Sequence, residues 1–291
     1  VTGTIVSAGL GKRFGRTWAV RDCTFDVPEG SLCALVGANG AGKTTVLRML
    51  AGLSRPTEGK AEVAGHRPAD DPGFLADVGF LAQEIPLHRR WTAEDHLAFG
   101  AHLNPRWDDA ATRERLRRVG IPLDRRVEAL SGGMRAQVAL ALALGKRPRV
   151  LLLDEPVAAL DPLARRDFLA TLTTAVAGDD LTVLLSSHLL ADLERVCDHI
   201  VILSAGCLDL CADIDEIVTA HKLLTAPTRD TAGLEGSHHV VSVDRTPRQV
   251  SVIARMGFGP LEDGWHVEDV GLEQIVLAYL GRHETRELVG R

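Results

Sequence analysis

Gly37, Gly42, Lys43 and Thr44 stand at the spacing G-x-x-x-x-G-K-[ST] inside the run GANGAGKTT, residues 37–45. Glycines there let the backbone curl until its N–H groups surround phosphate oxygens. The lysine meets the terminal phosphates as a point charge, and the threonine hydroxyl can take a position on Mg²⁺. Asn39, Gly40, Ala41 and Thr45 complete the loop and its exit. A second reactive pair, Asp154 and Glu155, ends the apolar run VLLLDEP. The first carboxylate can hold Mg²⁺ through the metal's water shell. The second can orient or deprotonate a water for in-line attack on a γ-phosphate, although an acidic pair at a strand end can also simply cap the next helix. A third stretch, LSGGMRAQ, sets Ser131, Gly132 and Gly133 at the opening of a helix. Exposed N–H groups and the helix dipole make that an anion site, yet it has no lysine to meet a phosphate.

These residues need rigid carriers. SLCALVG, from Ser31 to Gly37, reads as a buried strand running into the glycine loop, and KTTVLRMLAGL as a helix stopped by Gly52. VGFLA (78–82), VLLLD (150–154), TVLLSS (182–187) and HIVIL (199–203) are apolar, β-rich and separated by helical patterns. They predict a parallel sheet covered on both faces, an α/β core. From about 86 to 148 three helical segments follow one another: TAEDHLAFGAHL, DDAATRERLRRVG and SGGMRAQVALALALG. They predict an inserted helical subdomain. Thr92 and Asp95 form a capping-box pattern, and Asp161 before Pro162 is a good N-cap and first-turn pair. Arg113, Arg115, Arg117 and Arg118, interleaved with Glu114, read as a solvated face, with a partner contact as the alternative.

Beyond residue 221 the texture changes, with Pro227, Pro247 and Pro260 around the short alternating runs HVVSVD and QVSVIA. The reading is a main unit over 1–221 and a small α/β appendage over 222–291. In the closing GLEQIVLAYLG, the residues Leu272, Ile275, Val276, Tyr279 and Leu280 share one helical face. That face is expected to bury on the appendage's own sheet; a dimer or regulatory contact is the alternative.

Composition narrows the classes. Hydrophobic residues make up 45% and charged residues 25%, as in an ordinary globular protein, and the net charge of −6 leaves no electrostatic footprint for nucleic acid. The most apolar run is cut by Lys146, Arg147 and Arg149 before it reaches a membrane span. The opening residues lack an apolar run of signal-peptide length, so a cytoplasmic protein is expected. Cys23, Cys33, Cys197, Cys207 and Cys211 are odd in number and form no C-x-x-C pair, which reads as free core thiols rather than disulfides or metal ligands. No N-K-x-D guanine-reading pattern occurs. Phe14 can stack on an adenine face and Val20 can supply apolar contact to the base; a place in the core of an N-terminal sheet is the alternative for both.

GANGAGKTT, LAQE with Gln83, LSGGM, LLLDEP, ALDP with Asp161 and SSH with His188 follow the order and spacing of an ATP-binding cassette ATPase over roughly residues 4–220. The resemblance implies a P-loop NTPase (RecA-like) core with an antiparallel β part and the helical insertion. It implies ATP and Mg²⁺ as cofactors, with Thr44, Gln83 and Asp154 at the metal. Glu155, His188 and Gln83 would take catalytic roles. Ser131, Gly132, Gly133 and Asp161 would complete the site of a second copy or of a related cassette, in a dimer formed on ATP binding, which accounts for the missing lysine. PVAALDPLARR and SSHLLADLERVCDHIVIL further resemble ATPase subunits of bacterial multidrug or antibiotic exporters, whose membrane permease is a separate chain. The chain would then sit on the inner face of the membrane. An importer subunit, a soluble non-transport cassette protein and a P-loop kinase are the alternatives. Two positions depart from the commonest pattern: Phe14 stands for tyrosine and Met134 for glutamine.

Overall fold

The computed structural model describes residues 3–68, 70–188, 190–229, 231–257, 259–261 and 263–289. Strands β1 (Ile5–Phe14) and β2 (Thr17–Val27) form an antiparallel hairpin, followed by β3 (Leu32–Val36), helix α1 (Lys43–Leu50) and β4 (Glu58–Val63). β4 returns to the free edge of β1 and closes a three-stranded sheet in the order β2-β1-β4. Next come α2 (Phe74–Asp77), β5 (Val78–Leu81), α3 (Ala93–Leu103), α4 (Asp109–Arg118) and α5 (Gly132–Gly145). The chain re-enters the core with β6 (Val150–Leu153), α6 (Pro162–Asp179), β7 (Thr182–Ser187), α7 (Leu190–Leu193), β8 (His199–Ser204) and β9 (Cys207–Asp213). The central sheet has the order β5-β6-β7-β3-β8-β9, parallel throughout except for the last pair.

Why its strands carry no polar alternation is visible in the packing. Ala34, Leu151, Leu153, Val183, Leu185, Ile200 and Ile202 face one apolar cluster with α5 and α6. Cys33, Leu35, Val150, Leu152, Leu184 and Val201 face another with α1 and the small antiparallel sheet. Each fully buried Leu, Ile or Val contributes about 1.5–3 kcal/mol, and both faces collect that gain. Cys23 and Cys33 lie in the second cluster, where burial pushes the Cys23 thiol up to about 11 and the Cys33 thiol well above its ordinary range. Cys207 and Cys211 are free but only half-buried, at the edge of the core rather than inside it. Among the described residues no group of three or more His, Cys, Asp or Glu side chains is arranged to hold a metal.

The helical insertion has its own cluster of Ala93, Leu97, Leu116, Ile121, Val127, Leu130, Val138 and Ala141. α5 serves both this cluster and the main one, which explains its nearly uninterrupted apolar sequence. The capping box is formed, with Thr92 Oγ1 accepting from the Asp95 amide and Asp95 Oδ2 accepting from the Thr92 amide. Arg113 departs from the solvated face expected of its cluster. It donates to both carboxylate oxygens of Glu94 at 2.5 and 2.6 Å and to Asp109 at 2.6 Å, tying α3 to α4. The two acids hold its guanidinium pKa up, and it holds theirs down.

α8 (Ile214–Ala220) leads into a four-stranded antiparallel sheet of β10 (His221–Pro227), β11 (His239–Arg245), β12 (Gln249–Arg255) and β13 (His266–Asp269), ordered β11-β12-β10-β13. The short α9 (Ala232–Glu235) precedes β11, and α10 (Leu272–Val289) closes the described chain. Leu224, Ala226, Val250, Val252 and Ala254 pack with Leu234 on one face of this sheet. α10 does not bury on that sheet alone. Leu272, Ile275, Val276 and Tyr279 join the main cluster with Leu193, Ile200, Ile202 and Ile217, so the helix bridges the small sheet and the large one. The face was legible in its spacing; the surface it meets was not, because periodicity carries no address. Among the described residues no helix is long and apolar enough to cross a membrane.

A buried polar pair fixes that bridge. The His221 Nδ1 lies 2.7 Å from the Ile217 carbonyl, which can only accept, so Nδ1 carries the proton and Nε2 accepts from the Tyr279 hydroxyl at 3.0 Å. Burial pushes the His221 pKa below its ordinary 6.5, so below that pH the unfolded chain binds a proton that the folded one resists. Stability is therefore expected to decline as pH falls through 6.5, and less steeply in His221→Gln. Tyr279→Phe leaves Nε2 without its donor and should cost about 1–3 kcal/mol. Urea-unfolding midpoints across pH check both.

Candidate active site

The phosphate loop is shaped by what lies beneath it. A Cβ on Gly37 would stand 2.5 Å from the Leu203 carbonyl oxygen, and one on Gly42 would stand 2.7 Å from that of Ala19 and 2.9 Å from Val20 Cγ2. Gly42 also holds φ at 102°, a left-handed conformation open to glycine. The loop therefore rests directly on β2 and β8. Lys43 opens α1 and is 5% exposed; its Nζ donates to the carbonyls of Gly37 at 2.8 Å and Ala38 at 3.3 Å. It also lies 3.3 Å from Glu155 Oε1.

β6 and β3 flank β7 in the sheet, so the carboxylate pair reaches the loop across one intervening strand. Asp154, 2% exposed, accepts at Oδ1 from Thr44 Oγ1 and from Ser186 Oγ, each at 3.0 Å. Glu155 adopts a left-handed φ of 46°, uncommon for a residue with a side chain, and its amide donates to Ser186 Oγ at 2.8 Å. Its Oε2 lies 3.2 Å from His188 Nδ1, so Glu155 stands between Lys43 and His188. A cavity of about 400 Å³ opens here, lined by Asn39, Gly40, Gly42, Lys43, Thr44 and Thr45 on the loop side and by Gln83, Glu155 and His188 opposite. Ala41 is buried beneath the loop.

Two expected base contacts fall differently. Val20 is fully buried in the core under Gly42, and Ala19, one residue earlier, is the residue on the cavity wall. Strand alternation turns Val20 inward and Ala19 outward. Phe14 is 58% exposed at the end of β1, with Lys12 Nζ 5.3 Å from its ring centroid, which removes the reading of a core residue. Ser186 is a site residue with no motif of its own; the signal for it is a hydroxyl on a fully buried strand, which requires a hydrogen-bond partner.

Ser131, Gly132, Gly133 and Asp161 lie elsewhere, at the starts of α5 and α6. Ser131 Oγ caps α5 by accepting from the Met134 amide, and Asp161 caps α6 by accepting from the amides of Leu163 and Ala164. A Cβ on Gly133 would meet that of Ala164 at 2.7 Å, so this glycine permits the two helix starts to approach. The Met134 side chain packs against the apolar cluster of the insertion.

The family profile described as ABC transporter matches residues 20–158. The phosphonates import ATP-binding protein PhnC 1 of Natronomonas pharaonis is 39% identical over 216 residues, covering 70% of this chain and 91% of that protein. The sulfate/thiosulfate import ATP-binding protein CysA of Acinetobacter baylyi is 37% identical over 204 residues, covering 67% of this chain. The match spans only 58% of the Acinetobacter protein's length. A solved ATP-binding subunit of an ABC transporter superposes with a TM-score of 0.66 at 30% identity, over 74% of this chain and 92% of that one. The chain belongs to the family of ABC transporter ATP-binding proteins. Its fold is that of the cassettes, as the motifs imply. The transport direction in these relatives' names is import, so the finer likeness to multidrug exporters finds no support in them.

Gly42→Ala should collapse this geometry, since the methyl has no room and the backbone angle is strained. Loss of more than about 1 kcal/mol, read as a lowered urea midpoint without nucleotide, is the expected outcome.

Proposed function

We propose that the chain is the ATP-hydrolysing subunit of an ABC transporter, acting in pairs beneath a separate membrane permease on the inner face of the membrane. The convergence of Lys43, Thr44, Glu155 and His188 on one cavity, with Asp154 hydrogen-bonded to Thr44, supports this reading above all else. Lys43 and the loop hold the terminal phosphates of ATP. Glu155 orients a water in line with the γ-phosphorus and takes its proton as the new P–O bond forms and the bond to the β-phosphate oxygen breaks, releasing ADP and phosphate. His188 steadies the γ-phosphate from the far side of Glu155. Thr44 Oγ1 and Asp154 Oδ1, 3.0 Å apart and both oxygen, suit a hard cation, and with Gln83 they are the residues that would hold Mg²⁺. Mg²⁺ would supply charge neutralisation on the phosphates.

Ser131, Gly132, Gly133 and Asp161 line no part of this chain's own cavity. We assign them to the γ-phosphate held by a second copy or a related cassette. Between β5 and α3, an apolar cleft of about 410 Å³ is lined by Phe80, Leu87, Trp91, Phe99, Leu103 and Trp107. Phe99 and Leu103 are exposed in it, a surface suited to an apolar segment of the permease. The relatives' names favour import, and inward is the direction we assign.

Glu155→Gln should keep ATP affinity, lose about 10²–10⁴-fold in hydrolysis and accumulate as an ATP-bound dimer by light scattering. A monomer under saturating ATP would overturn the paired site. Lys43→Ala should lose nucleotide binding by calorimetry. With the cognate permease in right-side-out vesicles, energised uptake is the expected result; uptake in inverted vesicles instead would restore export.

A further inference from the structure

Ser186 is fully buried, directly after the apolar run Val183, Leu184 and Leu185, and its one hydroxyl is used twice. Its proton goes to Asp154 Oδ1 at 3.0 Å, and its lone pair takes the amide proton of Glu155 at 2.8 Å. These are the two carboxylates of the site, joined through a single oxygen atom.

We propose that Ser186 is a positioning residue for ATP hydrolysis: it holds the Asp154 carboxylate in place for the metal and pins the backbone that aims the Glu155 carboxylate. This rests on the ATPase reading above. Three observations carry it. Glu155 needs holding, because its φ of 46° is a left-handed conformation that costs about 1–2 kcal/mol for a residue with a Cβ. An amide hydrogen bond to a fixed, buried acceptor selects that conformation. Asp154 also needs a donor that stays in place. Its Oδ1 receives hydroxyls from both Thr44 and Ser186, but Thr44 belongs to the phosphate loop and is a candidate metal ligand. If its oxygen turns to the cation, Ser186 still restrains the carboxylate. Finally, the sheet order puts β7 between β6 and β3: the Ser186 backbone stands in register with Leu35 of the loop strand while its hydroxyl reaches the two acidic residues after β6.

Alanine can neither donate nor accept here, threonine can do both on a strand, and cysteine does both weakly. Ser186→Ala should lower kcat by about 10–100-fold while leaving KM for ATP within about threefold, because the phosphate loop is untouched. Ser186→Thr should recover most of the lost rate. Calorimetry gives a readout separate from turnover: the gain in ADP affinity on adding Mg²⁺ should shrink about tenfold in the alanine variant, with metal-free ADP affinity unchanged. If the alanine variant does not fold, Ser186→Cys must show the same kcat-selective loss. A kcat within twofold of wild type, a loss confined to KM, or an undiminished Mg²⁺ effect would each overturn the assignment. If wild type hydrolyses no ATP, or Glu155→Gln hydrolyses it normally, the ATPase reading itself fails rather than the role of Ser186.

Discussion

A strand covered on both faces has nowhere to carry charge except at its ends. β3 and β6 are apolar throughout, and β7 carries hydroxyls but no charge, because helices lie above them and a second sheet and α1 lie below. Every ionisable group of the site is therefore gathered at one rim, where the strands stop: Lys43 just after β3, Asp154 and Glu155 just after β6, His188 just after β7. Parallel order makes those ends coincide. Removing solvent from one side of the rim strengthens each contact there, so hydroxyls at 3.0 Å suffice to restrain a carboxylate that is almost fully buried.

The same constraint decides what was legible in the sequence. Buried strands announce themselves by the absence of polar residues, and TVLLSS became β7 residue for residue. Caps were equally readable, since Thr92 with Asp95 and Asp161 with Pro162 act within four residues of chain. The phosphate loop was legible because glycine spacing encodes a backbone path. What stayed hidden depends on partners distant in sequence. Val20 turns into the core and Ala19 to the cavity wall because strand alternation sends neighbours to opposite faces, and which face is covered depends on a loop about twenty residues on. Arg113 looked like one more basic residue until α3 brought Glu94 to it. The role of Ser186 lies in residues about thirty positions upstream, which no local pattern points to.

The C-terminal segment shows the limit most plainly. Its strands and the buried stripe of α10 follow from alternation and helical period. That α10 lies between two sheets follows from neither. The His221–Tyr279 pair, buried where the sheets meet, makes that placement specific, because only one docking satisfies both rings.

The approach of Gly133 to Ala164 has a mechanical consequence. α6 is rooted in the main core through Phe168, Leu169 and Leu172, while α5 carries the helical insertion. At their first turns the two backbones are as close as a missing side chain allows. A Cβ at residue 133 would force the two first turns apart, so the spacing between the helix starts that carry Ser131 and Asp161 is held by the absence of one side chain.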